Sequence, residues 1–203
     1  MKKLLKYTAV LLSAGLLSTA CSLDEENPAA GDATLDNFNA WYGLQSTCYS
    51  PLNDQIYTAQ DWLYMSEGGT DLWLPKSNGT SFKEVFCYEG VTGSYNTFQK
   101  VWKQCYTTIT SCNTVINEAG KLKDGNQRDI DILVAEAKTL RALYYSILVA
   151  QYGPVTLNLE SSSSLTGKVE LYPTRTSEKE IYRQIIQDLT EAIPDLPLEP
   201  YGG

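Results

Sequence analysis

The residues best suited to chemistry in this chain are flat aromatic side chains that alternate with amides and carboxylates between positions 57 and 98. An aromatic ring covers the apolar face of a sugar with little loss of side-chain freedom, and amide and carboxylate oxygens accept hydrogen bonds from hydroxyls. Trp73 is the first candidate because it lies between Asp71 and Pro75, away from any helical stripe. The predicted ligand-binding residues are Trp73, Trp62, Tyr64, Asp71 and Tyr95.

Each of these rings has an alternative interpretation, which is packing in the core or between a helix and a loop. Tyr88 belongs to the same aromatic set and carries the same two interpretations. Trp41 and Trp102 differ because they lie on apolar helical stripes, so we assign both to the core.

Catalytic chemistry has little support in this segment. Asp61, Glu67, Asp71 and Glu89 would be the source of a carboxylate pair for glycoside hydrolysis, yet their spacing does not define the separation that this chemistry needs. We interpret them as solvated loop acids. The chain has no histidine, which excludes the commonest general base and every Ser-His or Cys-His nucleophile. With no Gly-rich phosphate loop and no Cys or His cluster, we predict a protein that is not an enzyme and holds neither a metal nor another cofactor.

Composition indicates a globular protein with an acidic surface. Hydrophobic residues make up 43% of the 203 positions, enough to form a core. The formal net charge is −8, from 16 basic and 24 acidic residues. Because phosphate binding needs basic patches, nucleic acid is not an expected partner.

The N-terminus has the layout of a bacterial export leader. Lys2, Lys3 and Lys6 precede an apolar run from Ala9 to Leu17, and small residues lead to Cys21. This order predicts a lipoprotein signal peptide over residues 1–20, with Cys21 as the lipidated first residue of the mature protein. The alternative is an ordinary secretory signal that leaves Cys21 as a spare thiol. Residues 21–33 are polar and acidic, which predicts a flexible tether.

Four further cysteines, at positions 48, 87, 105 and 112, permit disulfides in an exported protein. Cys105 and Cys112 are seven residues apart on a predicted helix, about 10.5 Å along its axis, which is too far for one bridge. Both lie on the apolar stripe, so we interpret them as small core residues. A pairing of Cys48 with Cys87 is left open.

The stretch from 130 to 160 predicts the central helix around which the other elements pack. Its large apolar face comprises Leu133, Ala137, Leu140, Tyr144, Ile147 and Leu148. A second, small face comprises Ala135, Thr139, Ala142 and Ser146. Gly153 and Pro154 end the helix, and a short extended segment follows from Val155 to Leu159.

Three other helices are predicted around this one. The first covers residues 34–49, with Thr34 as N-cap and Pro51 at its end, and the second runs from Phe98 to Gly120 and forms an antiparallel hairpin with the central helix. The third opens with a capping box. It carries an apolar stripe of Tyr182, Ile186, Leu189 and Ile193, which we expect to remain exposed because the elements that would cover it are missing. Between the first two helices, residues 52–97 predict a long irregular loop with helical fragments.

Two segments resemble a known family. AEAKTLRALYYSILVAQYGPVTL resembles the AEA-x-x-LRA-x-YY-x-x-L-x-x-x-YG-x-V-x-L pattern of SusD/RagB-like outer-membrane nutrient-binding lipoproteins, and PTRTSEKEIYRQIIQDLTEAIPDLP is similar to a second pattern of the same family. The resemblance implies an all-α fold of tetratricopeptide-like helical hairpins, although an ordinary helical hairpin explains the periodicity equally well. It covers only the N-terminal portion of the family, so residues 34–203 are expected to form a SusD-like helical domain that is incomplete at its C-terminus.

The resemblance also implies a function. Such proteins are lipid-anchored at the surface of the outer membrane, where they bind glycans or peptides without catalysis and pass them to a TonB-dependent, SusC-like transporter. The expected partners are therefore an oligosaccharide or peptide, the transporter, and the membrane through a lipid anchor. The rival hypotheses are a helical scaffold that binds proteins or peptides and a secreted hydrolase.

The leader generates a testable prediction about Cys21. If Cys21 carries the lipid, Cys21→Ala should move the protein from the membrane fraction to the soluble fraction, because the anchor is lost. Immunoblots of fractionated cells, with and without the signal-peptidase inhibitor globomycin, measure this. Unchanged processing and membrane association under both treatments would contradict the lipoprotein interpretation.

Overall fold

A computed structural model describes residues 37–53, 61–73, 83–94, 96–161 and 173–198 of the chain. Its helices are α1 (Phe38–Pro51), α2 (Asp61–Glu67), α3 (Lys83–Cys87), α4 (Asn96–Glu118), α5 (Gln127–Tyr152) and α6 (Glu178–Ala192). Within these ranges the β structure is limited to one isolated bridge between Val155 and Thr176. None of the described helices combines the length and the apolar character needed to cross a membrane. The predicted all-α fold, with short helices in the 52–97 region, is confirmed.

The predicted central helix is α5, and its ends are set by local sequence. Asn126 caps the start, where its Oδ1 accepts a hydrogen bond of 2.9 Å from the backbone N–H of Asp129. Gly153 ends the helix in a left-handed conformation with φ +68°, which glycine adopts without steric cost. The predicted large face is confirmed, since all six of its residues are buried.

α4 and α5 form the predicted antiparallel hairpin. The Tyr152 hydroxyl at the end of α5 donates to the carbonyl of Phe98 at the start of α4, at 2.7 Å. Further along, the Arg141 Nη1 of α5 donates to the Asn113 Oδ1 of α4, at 2.9 Å. Because residue numbers fall along one helix as they rise along the other, the two helices run in opposite directions.

A buried ion pair joins α5 to α6. Arg141 Nη2 and Nε lie 2.6 and 2.8 Å from the two carboxylate oxygens of Asp188, and both residues are almost fully buried, at 5% and 1% exposure. An exposed ion pair, Arg128 with Asp195 at 3.3 Å, lies at the other end of the same interface. The order of these contacts makes α5 and α6 antiparallel.

One apolar face of α6 is buried and the other is exposed. Ile181 and Ile185 are buried against the core together with Asp188 and Ala192. The predicted stripe of Tyr182, Ile186, Leu189 and Ile193 is exposed, as expected. The capping box is also confirmed, because the Ser177 and Glu180 side chains each accept from the other's backbone N–H. The buried face was not predicted, since Asp188 interrupts its apolar pattern.

α1 packs against α4 and α5, but it starts later than predicted. Its N-cap is Asn37, whose Oδ1 accepts from the Ala40 N–H at 2.8 Å, whereas the predicted cap Thr34 lies outside the described residues. The Tyr144 hydroxyl donates to the Cys48 carbonyl at 2.7 Å and fixes the end of α1 on α5. Trp41 and Cys48 are buried in this interface, which confirms the predicted core position of Trp41.

The predicted extended segment after α5 is held by side chains of the hairpin. Asn113 Nδ2 donates to the carbonyls of Asn158 and Glu160 at 3.0 and 3.1 Å. The Tyr106 hydroxyl donates to the Thr156 carbonyl at 2.8 Å. Since buried carbonyls need hydrogen-bond donors, these side chains replace the neighbouring strand that a sheet would provide.

The ion pair between α5 and α6 generates a prediction. Asp188→Asn should lower the free energy of unfolding by about 3 to 5 kcal/mol, because it leaves the Arg141 guanidinium buried without a counter-charge. Asp195→Asn removes the exposed pair of the same interface and should cost at most about 1 kcal/mol. Urea unfolding followed by circular dichroism measures both. Equal losses for the two variants would contradict the assigned difference.

Candidate functional site

The largely apolar cavity in the predicted binding segment has a volume of ≈ 390 Å³ and opens beside the end of the α4–α5 hairpin. The residues that line it come from α2 with the turn that follows it, α3, the loop after α3, the start of α4 and the end of α5. They are Met65, Gly68, Val85, Tyr88, Val91, Phe98, Gln151 and Tyr152. Small-molecule sites are typically concave, mostly apolar and about 300 to 1,000 Å³ in volume, so this cavity has the size of a ligand site.

Tyr88 forms the exposed wall of the cavity. It is 73% exposed and has a φ of +55°, a left-handed conformation that is uncommon for a residue other than glycine. Such a conformation costs about 1 to 3 kcal/mol and persists where the surrounding structure enforces it. The strain therefore marks Tyr88 as a candidate functional residue.

The turn after α2 holds the Tyr88 ring in place. Gly69, with φ +81°, lies directly under the ring: a Cβ at this position would be only 2.5 Å from Tyr88 Oη and 2.6 Å from Cζ. The ring and the turn therefore approach each other to a distance that only glycine allows. In this position the Tyr88 hydroxyl also donates to the Gly69 carbonyl at 3.5 Å.

One residue of the cavity lining, Tyr152, belongs to a packed aromatic group. The Tyr152 ring stands edge-to-face on Trp102 at 5.0 Å, and Trp102 contacts Tyr106 at 5.0 Å. Burial raises the pKa of Tyr106 to about 12, and it also raises the pKa of Tyr152 above its ordinary value. Both hydroxyls are therefore neutral hydrogen-bond donors at physiological pH, and both donate to backbone carbonyls.

Trp73 and Asp71 lie in the turn after α2, as the sequence suggested. Trp73 is 39% exposed and Asp71 is exposed, so both are accessible to a ligand. The Trp73 backbone N–H donates to the Thr70 carbonyl at 3.5 Å, which continues the series of turns that carries Gly69. Neither residue lines the cavity itself.

The other predicted residues have structural contacts or lie outside the described part of the chain. Trp62 is half-buried and packs against the core. The half-buried Tyr64 ring contacts Phe86 edge-to-face at 5.5 Å. Tyr95 and the predicted lipidation residue Cys21 fall outside the described ranges. The structure therefore brings Trp73 and Asp71 into one turn but does not gather the predicted set around one cavity.

The interpretation of Asp61 as a solvated loop acid is wrong. Asp61 is buried at the start of α2, where it accepts from the Thr97 hydroxyl at 3.1 Å and lies 3.6 Å from Lys100 Nζ of α4. A carboxylate is favourable in the first turn of a helix because the backbone N–H groups there are unpaired. Asp61 therefore attaches α2 to α4 and has a structural role.

The arrangement offers groups that could bind a ligand. Tyr88 presents an open aromatic face, most of the lining is apolar, and Gln151 adds an amide that both donates and accepts hydrogen bonds. No carboxylate lines this cavity. Among the described residues there is also no group of three or more side chains that would hold a metal ion.

Sequence reasoning missed the cavity because its lining is assembled from five separate elements. Phe98 was the predicted start of the second helix, and Tyr152 was part of the predicted central helix. Tyr88 was among the aromatics considered, but its left-handed backbone has no signature in the chain beyond the nearby Gly90. Contact between Tyr88 and Gly69, 19 residues apart, was not predictable from periodicity.

The comparisons with known proteins agree with one another. A SusD-like family model, described as "Starch-binding associating with outer membrane", matches residues 34–202. The SusD-like protein P2 of Formosa agariphila is 27% identical over 199 residues, which cover 95% of this chain and 38% of that protein.

Solved structures show the same fold. A SusD superfamily protein from Parabacteroides distasonis superposes with a TM-score of 0.67 and 26% identity, over 81% of this chain and 36% of that one. A laminarin-binding SusD-like protein gives a TM-score of 0.63 with 22% identity, over 80% and 35% of the two chains. The chain thus spans little more than a third of the length of these relatives. Since the family model matches most of its residues, the chain belongs to the SusD-like family, whose fold is tetratricopeptide-like and helical.

Proposed function

We propose that this chain binds oligosaccharides at the cavity beside Tyr88, as part of a non-catalytic nutrient-binding lipoprotein. The observation that carries the proposal is an exposed aromatic ring, held in a strained backbone conformation at the mouth of an apolar cavity. A pyranose would stack its apolar face on Tyr88, and its hydroxyls would exchange hydrogen bonds with Gln151.

Pre-organisation supports this role for Tyr88. An exposed tyrosine usually loses rotamer freedom when it binds a ligand, which reduces affinity. The close approach of Gly69 restricts the Tyr88 ring in the free protein, so most of that loss has already occurred on folding. The left-handed backbone thus costs folding free energy, but it reduces the loss of side-chain freedom when a ligand stacks on the ring.

The ligand class follows from the family and the chemistry together. The family model is described as starch-binding, and one structural relative is a laminarin-binding protein, so α- and β-linked glucans are the first ligands to test. Trp73 and Asp71, in the turn that supports Tyr88, would extend the surface for a longer oligomer. The alternative is that the apolar cavity accepts a peptide side chain, as in peptide-binding members of the family.

Delivery to a transporter completes the proposal. Cys21 would hold the protein by a lipid at the surface of the outer membrane, and the helical domain would pass bound oligomers to a TonB-dependent, SusC-like transporter. The absence of a carboxylate from the cavity lining supports a binding role over hydrolysis. Release of sugar products by the purified protein would revive the hydrolase hypothesis.

The Tyr88 cavity generates a binding prediction. Tyr88→Ala should weaken oligosaccharide binding by about 1 to 3 kcal/mol, or roughly 5- to 150-fold in Kd, because the stacking face is removed. Tyr42→Ala is the matched control, since Tyr42 is also an exposed tyrosine but belongs to α1. Calorimetric titration of maltohexaose, laminarihexaose and short peptides measures both variants.

Several results of this titration would overturn the proposal. Equal affinity in the wild type and Tyr88→Ala would exclude stacking at Tyr88, and binding of peptides alone would favour the alternative. The same titration is then made with Trp73→Ala, and the denaturant midpoint of this variant is measured as well. Lost affinity with unchanged stability would place Trp73 in the ligand site, whereas lost stability with unchanged affinity would assign it to packing.

The proposed delivery step predicts a stable partner. Affinity purification of the tagged protein from detergent-solubilised outer membranes should recover a TonB-dependent transporter. Tyr88→Ala should recover it equally well, because the ligand site is separate from lipid anchoring. Recovery of no transporter, or of the same set of proteins with an unrelated lipoprotein as bait, would remove this part of the proposal.

A further inference from the structure

Two core thiols from different helices lie next to each other. Cys48 of α1 and Cys112 of α4 are both fully buried in the same core cluster, where their thiols interact through a side-chain hydrogen bond. Of the other two described thiols, Cys105 is buried and Cys87 of α3 is exposed. The pairing that the sequence left open, Cys48 with Cys87, is therefore not the one that this geometry favours.

We propose that Cys48 and Cys112 form a disulfide that cross-links α1 to α4 in the exported protein. The described cysteines carry free thiols in the structure, so the bond would form by oxidation of this pair. The two hydrogen-bonded sulfurs would move together to reach the S–S bond length of about 2.05 Å.

The backbone around the pair is well fixed. The Cys48 carbonyl accepts the Tyr144 hydroxyl at 2.7 Å, and the Cys48 thiol donates to the Leu44 carbonyl at 3.6 Å. Cys112 lies in the long helix α4, one residue before the buried Asn113 that holds Arg141. Both ends of the cross-link therefore belong to elements that are positioned by other contacts.

The chemistry is thiol–disulfide exchange with an external disulfide, either of an oxidoreductase or of a small molecule. The Cys48 thiolate attacks one sulfur of the donor disulfide, forms a mixed disulfide and releases one thiol. The Cys112 thiolate then attacks the Cys48 sulfur and releases the second thiol. In total, two cysteine thiols lose two protons and two electrons, and the donor disulfide is reduced to two thiols.

In the folded protein the hydrogen bond between the two thiols separates their pKa values. The hydrogen bond from the Cys112 thiol lowers the pKa of Cys48. The same hydrogen bond, with burial, raises the pKa of Cys112. Because both thiols are fully buried in the folded protein, the exchange would take place before α1 has docked on α4, and the finished bond would be protected from reductants.

The bond would close a loop that contains most of the candidate site. Residues 48 to 112 include α2, α3 and the turn around Gly69, so Met65, Tyr88 and Phe98 all lie inside the loop. A disulfide reduces the conformational freedom of the unfolded chain between its ends. The cross-link would thus stabilise the part of the protein that has the shortest helices.

The compartment is consistent with oxidation. Members of the family associate with the outer membrane, so the chain folds outside the cytoplasm, where disulfides form and persist. This inference depends on export and not on glycan binding. Its failure would leave the proposed ligand site untouched.

The test is a disulfide map of the wild-type protein isolated from the cell envelope. Cells are quenched with N-ethylmaleimide, and the protein is denatured and digested without reductant. Trypsin leaves Cys105 and Cys112 on the same peptide, residues 104–121, so chymotryptic cleavage after Tyr106 is needed to separate them. We expect a peptide linked through Cys48 and Cys112, with N-ethylmaleimide on Cys87 and Cys105. N-ethylmaleimide on both Cys48 and Cys112, or a link through another cysteine, overturns the proposal.

A melting experiment with matched variants provides a second measurement. Unfolding in denaturant with dithiothreitol, followed by refolding under reducing conditions, should lower the Tm of the wild type and of Cys105→Ala by about 5 °C or more. Cys112→Ala should melt at one temperature with and without the reductant. Either a wild type that does not respond or a Cys112→Ala variant that responds like the wild type contradicts the cross-link.

Discussion

The charge of Arg141 is the constraint on which the described helices depend. A guanidinium buried to this extent is costly unless its charge is paired and its donors are used. Asp188 of α6 accepts from two of its nitrogens, and Asn113 of α4 accepts from a third. Such a pair adds little net stability compared with an apolar core. It disfavours any alternative packing that would leave the charge of Arg141 buried and unpaired. Helix α6 docks with Asp188 inward, which turns Ile185 towards the core and Ile186 towards solvent.

The same network extends towards the candidate site. The Asn113 amide uses its carbonyl for Arg141 and its N–H groups for the backbone of the extended segment after α5. That segment is also held by Tyr106, which packs on Trp102, and Trp102 contacts the cavity residue Tyr152. At the end of the hairpin, Tyr152 is bonded to the start of α4. The helical body therefore contributes Phe98 and Tyr152 to the cavity, while Tyr88 comes from a connecting segment.

Periodicity predicted the elements with a regular pattern, and it failed where contacts join distant parts of the chain. Every large residue on the predicted face of α5 is buried, because a 3.6-residue repeat directly reports a helix face. The face of α6 that contacts α5 escaped prediction because it includes the charged Asp188, whose partner is 47 residues away. Asp61 was misinterpreted for the same reason: its partners Thr97 and Lys100 are on another helix. The cavity around Tyr88 depends on similar long-range contacts, which no local pattern encodes.

The backbone at Tyr88 also bears on how this protein would respond to engineering for heat resistance. Glycine is the residue most compatible with a left-handed φ, so Tyr88→Gly would relieve the local strain. A library screened only for thermal resistance would be expected to enrich that substitution and so discard the exposed ring. Thermostabilised versions of the protein should therefore be screened for ligand binding as well as for stability. At this position the two properties favour different amino acids.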